Sequence, residues 1–565
     1  MLVLISAGSA AQGMPDAALV AGDSHGHDSL MVQIDSAATL PWMELAIEQQ
    51  NDSLAFPENI VRPGRDYSRA WIGAEPIPVY PSLVVEDGVP NFDPYFMPDD
   101  INRSQTGIFR SRRNLGWLRI DQPLVTTYEP YTHLNYQLGG YNHGSLYARH
   151  RQVFSRWGID IAGINESGDD GHPGNIGDQA QILAKAYYAL SQSARISLLA
   201  NVQRHKYSYR RWRNGAPEGD AAVDEQQVDL WTLRYTRDFN RSRWQMGLQY
   251  FWREGNWQHS NQSGYRSDYH IYSPYTSYSV WDQRQRLDAY AAIHVVHGKF
   301  ADDSQQRNEL AGRLQLLWTR AWLAIMQSRL QVMGGSLENG HWYFYSAFSV
   351  LLWQQLQIRF AYDHFPGYSE NGVFNGGNGQ HVLLALQWER MIMPGLRLLA
   401  AGSINSYREL PFAASGWQPR QIDYQLLRLQ LDYNYKWLHL GLQGRQRLGT
   451  WRYIPENQFA ATAGIDFYLL NSLRIKAASW LSVLNNYLTY DLDLEHGNLV
   501  PGADGRDLTW QLDFRVAAVV GDFEIYYSGI HVDAFMGNTR DHELISGFAH
   551  DLPRYRFGVS WTLLN

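Results

Sequence analysis

From Leu427 to Trp437 every second residue is apolar or aromatic: Leu427, Leu429, Leu431, Tyr433, Tyr435 and Trp437. The residues between them are Arg428, Gln430, Asp432, Asn434 and Lys436. A two-residue period puts these sets on opposite faces of a β-strand. The period recurs at 244–252, 356–362 and 508–516, and in about twenty segments between residues 131 and 564, with no convincing amphipathic helix among them. A soluble sandwich would turn the polar face to water, whereas a membrane barrel would turn it to a wet lumen.

The connections separate the two. Short ones include SQSA (191–194), DFNRS (238–242), NS (471–472) and VVGD (519–522). Long ones include NESGDDGHPGNIGD (165–178), FPGYSENGVFNGGNG, SYRELPFAASGWQPRQ and LTYDLDLEHGNLVPGADGR. Short turns at one end and long loops at the other describe an outer-membrane barrel. A sandwich has no reason to sort its loops this way. Counting turns from both ends leaves a conflict unless one more strand lies within 255–284, as in SDYHIYSPYTSYSVW. The fold expected is all-β, a transmembrane antiparallel β-barrel of about 18–22 strands with an irregular N-terminal region. The long loops, including 363–379, 487–505 and 534–552, are expected outside the cell.

Composition fits this reading. Among 565 residues there is no cysteine, which removes thiolate metal sites and disulfides. Aromatic residues make up 14% of the chain, as suits strands and membrane interfaces. The mean hydropathy of −0.39 is soluble-like, and no stretch reaches the ~18 apolar residues of a spanning helix. Barrel strands escape that test because each apolar residue has a polar neighbour. A net charge of −8 is modest for the length and gives no sign of a nucleic-acid partner.

Three regions follow. Residues 1–12, with LVLISAGSAA, read as the remnant of a secretory signal. Residues 13–122 are rich in Pro, Asp and short apolar clusters, as in AEPIPVYPSLVVEDGVP and NFDPYFMPDDINRS. They read as an irregular N-terminal region that either plugs the lumen or lies beneath it. Residues 123–565 form the barrel, and YRFGVSWTLLN resembles the closing strand of outer-membrane proteins.

Two family resemblances refine the function. The stretch PYTHLNYQLGGYNHGSLYARHRQVFSRWGIDIAGINESGDDG (130–171) resembles the first hairpins of a porin family of Bacteroidota-type outer-membrane β-barrels. Pro130, Thr132, Leu134, Tyr136, Leu138, Gly139 and His150 carry the likeness. It implies a passive pore and supplies no catalytic residue. The segment VVEDGVP (84–90) resembles the Val-Asp-Gly-Val-Pro strand and turn in plugs of TonB-dependent transporters, although no Arg-Gly pair precedes it. That resemblance implies an energised transporter with residues 20–120 as its plug.

Candidate sites are few. DSHGHD (23–28) sets His25 and His27 between Asp23 and Asp28, donors that zinc or nickel could use. It reads as a solvated segment, and no metal or cofactor is assigned. No G-x-S-x-G motif occurs, so the barrel-enzyme reading stays behind the others, with no catalytic residue named. The polar strand faces carry more bases than acids. Arg313, Arg329, Arg359, Arg428, Lys436, Arg445 and Arg515 are the lumen-facing selectivity candidates, with Asp160, Asp288, Glu389, Asp432 and Asp513 as the chief opposing acids. The function expected is an outer-membrane, porin-like channel for passive diffusion of small polar solutes, with modest anion preference. The partners expected are outer-membrane lipid, small polar solutes and the barrel assembly machinery, and an oligomer is compatible with the fold.

Overall fold

A computed structural model of the chain describes the backbone of four short strands between residues 83 and 121. From residue 130 onward it describes nearly everything apart from stretches between strands, the longest being 409–420 and 537–553. The signal-like start and DSHGHD lie outside the described residues, as does most of the expected loop 534–552.

The short strands are β1 (Leu83–Glu86), β2 (Val89–Asn91), β3 (Arg110–Asn114) and β4 (Trp117–Asp121). They form one mixed sheet in the order β2-β1-β4-β3, with β1 parallel to β4 and the other pairs antiparallel. VVEDGVP supplies the β1–β2 hairpin, Glu86 standing opposite Val89. The region expected to be irregular with a few short elements therefore contains a sheet.

Twenty-two antiparallel strands, β5 (Tyr131–Gly139) to β26 (Arg554–Leu564), follow in chain order and close into a barrel when β26 pairs with β5. The extra strand expected within 255–284 is β12 (Gln262–Trp281). In lipid the backbone has no water to bond to, so closure is the condition for a sheet to span.

The two rims differ. At one end every connection is a two- or three-residue turn, for example between β20 (Gln421–Tyr435) and β21 (Leu438–Gly449). Left-handed backbone closes several of these, including Lys436 at φ 51° and Gly395 at φ 82°. Gly395 is required, because a Cβ there would lie 2.1 Å from the Asn434 carbonyl oxygen. At the other end strands run far past the ~9–11 residues needed to span: β10 (Ala216–Phe239) has 24 residues and β24 (Asn498–Val520) has 23. Much of what reads as loop at 363–379 and 487–505 is therefore hairpin, on the side where the long loops were expected.

The faces sort as the alternation demands. On β20, Leu429 is 57% exposed on the outer wall and Gln430 is 4% exposed on the inner one. Trp157, Trp322, Trp353, Trp437 and Trp561 are all exposed and lie by the short turns, forming an aromatic girdle at that interface. Inside, Tyr526 of β25 (Phe523–Ile530) lies over its register partner Gly558, where a Cβ would come within 2.1 Å of the ring.

Two outcomes test this arrangement. Leu429→Arg should lower the urea stability of the refolded barrel in vesicles by ~2–4 kcal/mol, the cost of a charge near the bilayer midplane, while Leu429→Val should change it little. Because the chain has no cysteine, single-cysteine variants report sidedness cleanly. An impermeant maleimide on intact cells should label Asp493→Cys, at the end of a long hairpin strand, and spare Lys436→Cys in a short turn.

Candidate functional site

The inner wall is the one surface where the barrel gathers polar groups from every strand. Arg313, Arg359, Arg445 and Arg515 are all buried there, and Arg428 shares the face with buried Gln430. Arg329, on β15 (Met326–Ser336), occupies the register row of Thr319 and Ser349. Lys436 does not belong to the set. It sits exposed in the β20–β21 turn, its ammonium 5.1 Å from the Tyr435 ring centroid. The alternation that placed it inside ends one residue earlier, where the chain turns.

Arg428 and Arg445 stand directly opposite each other on β20 and β21. Like charges in that position repel. Arg428 donates to Gln430 Oε1 at 2.6 Å and to Gln443 Oε1 at 3.3 Å, and Gln430 in turn donates to Asp432 at 2.8 Å. On β14 (Gln305–Leu323), Arg313 donates to Gln315 and lies 5.1 Å from the ring centroid of Tyr290.

Close to the short turns the inner wall carries acid–base pairs on many strands. Arg243 bonds to Asp238, Arg286 to Asp288 at 2.9 Å, Arg397 to Glu389 at 2.7 Å and Arg474 to Asp466. Glu524 takes both Lys476 at 3.3 Å and Arg515. Deeper, between β6 (Gly144–Phe154) and β7 (Trp157–Asp169), Arg149 makes a two-pronged bond to Asp160 at 2.9 and 2.7 Å, with both side chains buried. The sequence reading missed Arg149, Arg286, Asp238, Asp466 and Glu524. The detectable signal is an acid and a base flanking one short turn, as Asp238 and Arg243 do in register. These pairs offset much of the basic excess that the reading assigned to the lumen.

The inner wall is also not uniformly polar. Leu230, Phe251, Ile271 and Val296 form one cross-strand row over β10, β11 (Ser242–His259), β12 and β13 (Gln285–Ala301). They are 0%, 2%, 0% and 4% exposed. A 22-stranded barrel is too wide for its own wall side chains to fill. Open water would leave such a row bare.

No protein-family model matches the chain, and no curated protein matches it in sequence. Solved structures share its fold. The siderophore receptor PirA from Acinetobacter baumannii is 8% identical with a TM-score of 0.64, the match covering 94% of this chain and 97% of that one. The FrpB iron transporter from Neisseria meningitidis is 10% identical at a TM-score of 0.63, covering 85% of this chain and 91% of that one. A variant of the ferric enterobactin receptor PfeA from Pseudomonas aeruginosa is 10% identical at 0.63, covering 86% and 90%. This chain is an outer-membrane barrel of a bacterial cell.

Removing one partner of a buried pair leaves a charge stranded in low dielectric, whereas a partly exposed pair is screened. Arg149→Ala should therefore destabilise the refolded barrel by ~3–5 kcal/mol, and Arg243→Ala by no more than ~1 kcal/mol. Urea unfolding in vesicles, with Asp160→Asn/Arg149→Ala to close the cycle, measures both.

Proposed function

We propose that this chain is an energised transporter of the TonB-dependent type, whose region ahead of the barrel plugs the lumen, rather than a passive porin. The observation that carries the reading is the buried apolar row Leu230–Phe251–Ile271–Val296 on the inner wall. Apolar side chains gain ~25 cal/mol per Å² when covered, and a water-filled pore offers them no cover. The mixed sheet β1–β4 with its VVEDGVP hairpin supplies a folded element in the right part of the chain. The even strand number puts the start of β5 and the end of β26 on the short-turn side, so a plug would enter from the periplasm.

The solved neighbours are transport receptors, named for iron and siderophores. We infer a cargo of that class, a metal chelate too large to pass a narrow pore. Inner-wall arginines such as Arg313, Arg359 and Arg428 favour an anionic one. The resemblance of residues 130–171 to Bacteroidota-type porins concerns the first hairpins alone and is compatible with either mechanism.

Conductance and energy dependence decide between them. The full chain in planar bilayers should conduct little, and a variant lacking residues 13–122 should open wide. In cells, uptake through the full chain should stop when a protonophore collapses the proton gradient. Steady conductance by the full chain, with uptake indifferent to the protonophore, would establish the porin instead.

A further inference from the structure

The bilayer-facing wall is not evenly ridged. A groove of about 820 Å³ runs across it over β12 to β16 (Trp342–Leu352). Here Ala291, Gly312 and Gly334 occupy outward positions that elsewhere carry leucine or an aromatic ring. The register joins them: Leu314 stands between Ala291 and Gly334, Gly312 beside Ile293, and Gly334 beside Phe344. Leu314 in the groove and Leu310 just past it are 67% and 70% exposed, the highest of any large apolar residue among the described residues. Thr276 is the only outward side chain in the lining that can hydrogen-bond.

Depth places the groove. Pro274 lies seven residues and Gly312 eleven residues before the short-turn ends of their strands. Crossing the membrane takes ~9–11 residues, so the groove occupies the outer half of the hydrocarbon zone. Just beyond it on the same outer face, the His270 ring lies between Tyr250 and Trp252, at 6.0 and 6.3 Å. The Tyr250 hydroxyl and His270 Nδ1 are 2.9 Å apart, and Trp252 Nε1 donates to Asp268 at 2.9 Å. In register, His297 stands opposite His270, and Lys299 and Glu254 stand opposite Asp268. Polar-tipped aromatic rings of this kind sit at the headgroup level.

We propose that the groove and the cluster above it form a binding site for one outer-leaflet lipid, with an acyl chain in the groove and the polar head against His270 and Asp268. Tail and head chemistry follow each other along one strand, β12, in the order an amphiphile requires. The volume lies within the ~300–1,000 Å³ of ordinary ligand sites.

Native mass spectrometry of the full chain, purified from outer membranes in mild detergent, tests the site. The wild type should keep one lipid per barrel through detergent exchange. Gly334→Phe fills the groove and should lose that lipid. Gly444→Leu, on the bilayer face of β21 where an added Cβ meets nothing within 4 Å, should keep it. Equal retention by Gly334→Phe and the wild type, or equal loss in Gly444→Leu, overturns the site. A benzophenone amino acid in place of Val332 gives a second reading if Gly334→Phe fails to assemble. Photo-crosslinking to a lipid supports the proposal, and capture of a second copy, of another polypeptide, or of nothing overturns it.

Discussion

Everything in this molecule depends on one pairing, β26 against β5, which joins residues 556–564 to 131–139 and closes the wall. An open sheet of this size would present two rows of unpaired backbone groups to lipid, at several kcal/mol for each group. The closing strands lie more than 400 residues apart in the chain, so no local propensity can bring them together. What does is the run of adjacent antiparallel hairpins between them. Each is joined by a tight turn at one rim, and each carries the right-handed twist that curls a sheet round on itself.

Closure fixes an inside and an outside, and the two-residue period then gives every strand two different solvents. The outer solvent is uniform, so outward residues need only be apolar, with rings where lipid meets water. The inner environment is more demanding. It holds buried pairs such as Arg149–Asp160, amide-bridged arginines such as Arg428, and the buried apolar row at Leu230. A water-filled tube would need only the first two. The third is what the plug of the proposed transporter would cover.

Much of this was legible in the chain. Alternation at 427–437 reported a strand between unlike solvents, and loop parity demanded a strand near 255–284 that its own composition hides. β12 has aromatic rings on both faces, with Tyr275 inward and Tyr272 and Tyr278 outward. It also contains Pro274, next to which the ladder to β13 skips from Tyr272 to Tyr275. A proline without an N–H argues against a central strand. The distal hairpins were illegible for another reason. The GADGRD stretch of β24 stands beyond the membrane, where no lipid imposes an apolar face, so a strand there has no periodic signature. Alternation reports solvents first and strands only through them.

The same limit explains the inner-wall charges. A list of inward bases treats each as a free contributor to the field in the lumen, but facing is a property of one strand and pairing is a property of two. Arg243 gains Asp238 across a turn, and Arg515 gains Glu524 from the next strand. Strand register, which the chain does not display, decides which bases are neutralised. Near the short turns pairs such as Asp238–Arg243, Glu389–Arg397 and Asp466–Arg474 tie adjacent strands together around the rim where the chain enters and leaves the barrel. Farther in, Arg313, Arg359, Arg428 and Arg445 lie on the polar wall of β14 to β21. Lys185 and Arg556 are buried on the inner wall as well, so positive charge recurs round the lumen rather than on one side of it. Bases held by neighbouring amides, as Arg428 is by Gln430 and Gln443, present fixed donors to an anion, whereas free ones set only a diffuse field. Fixed donors of that kind fit the anionic cargo proposed above.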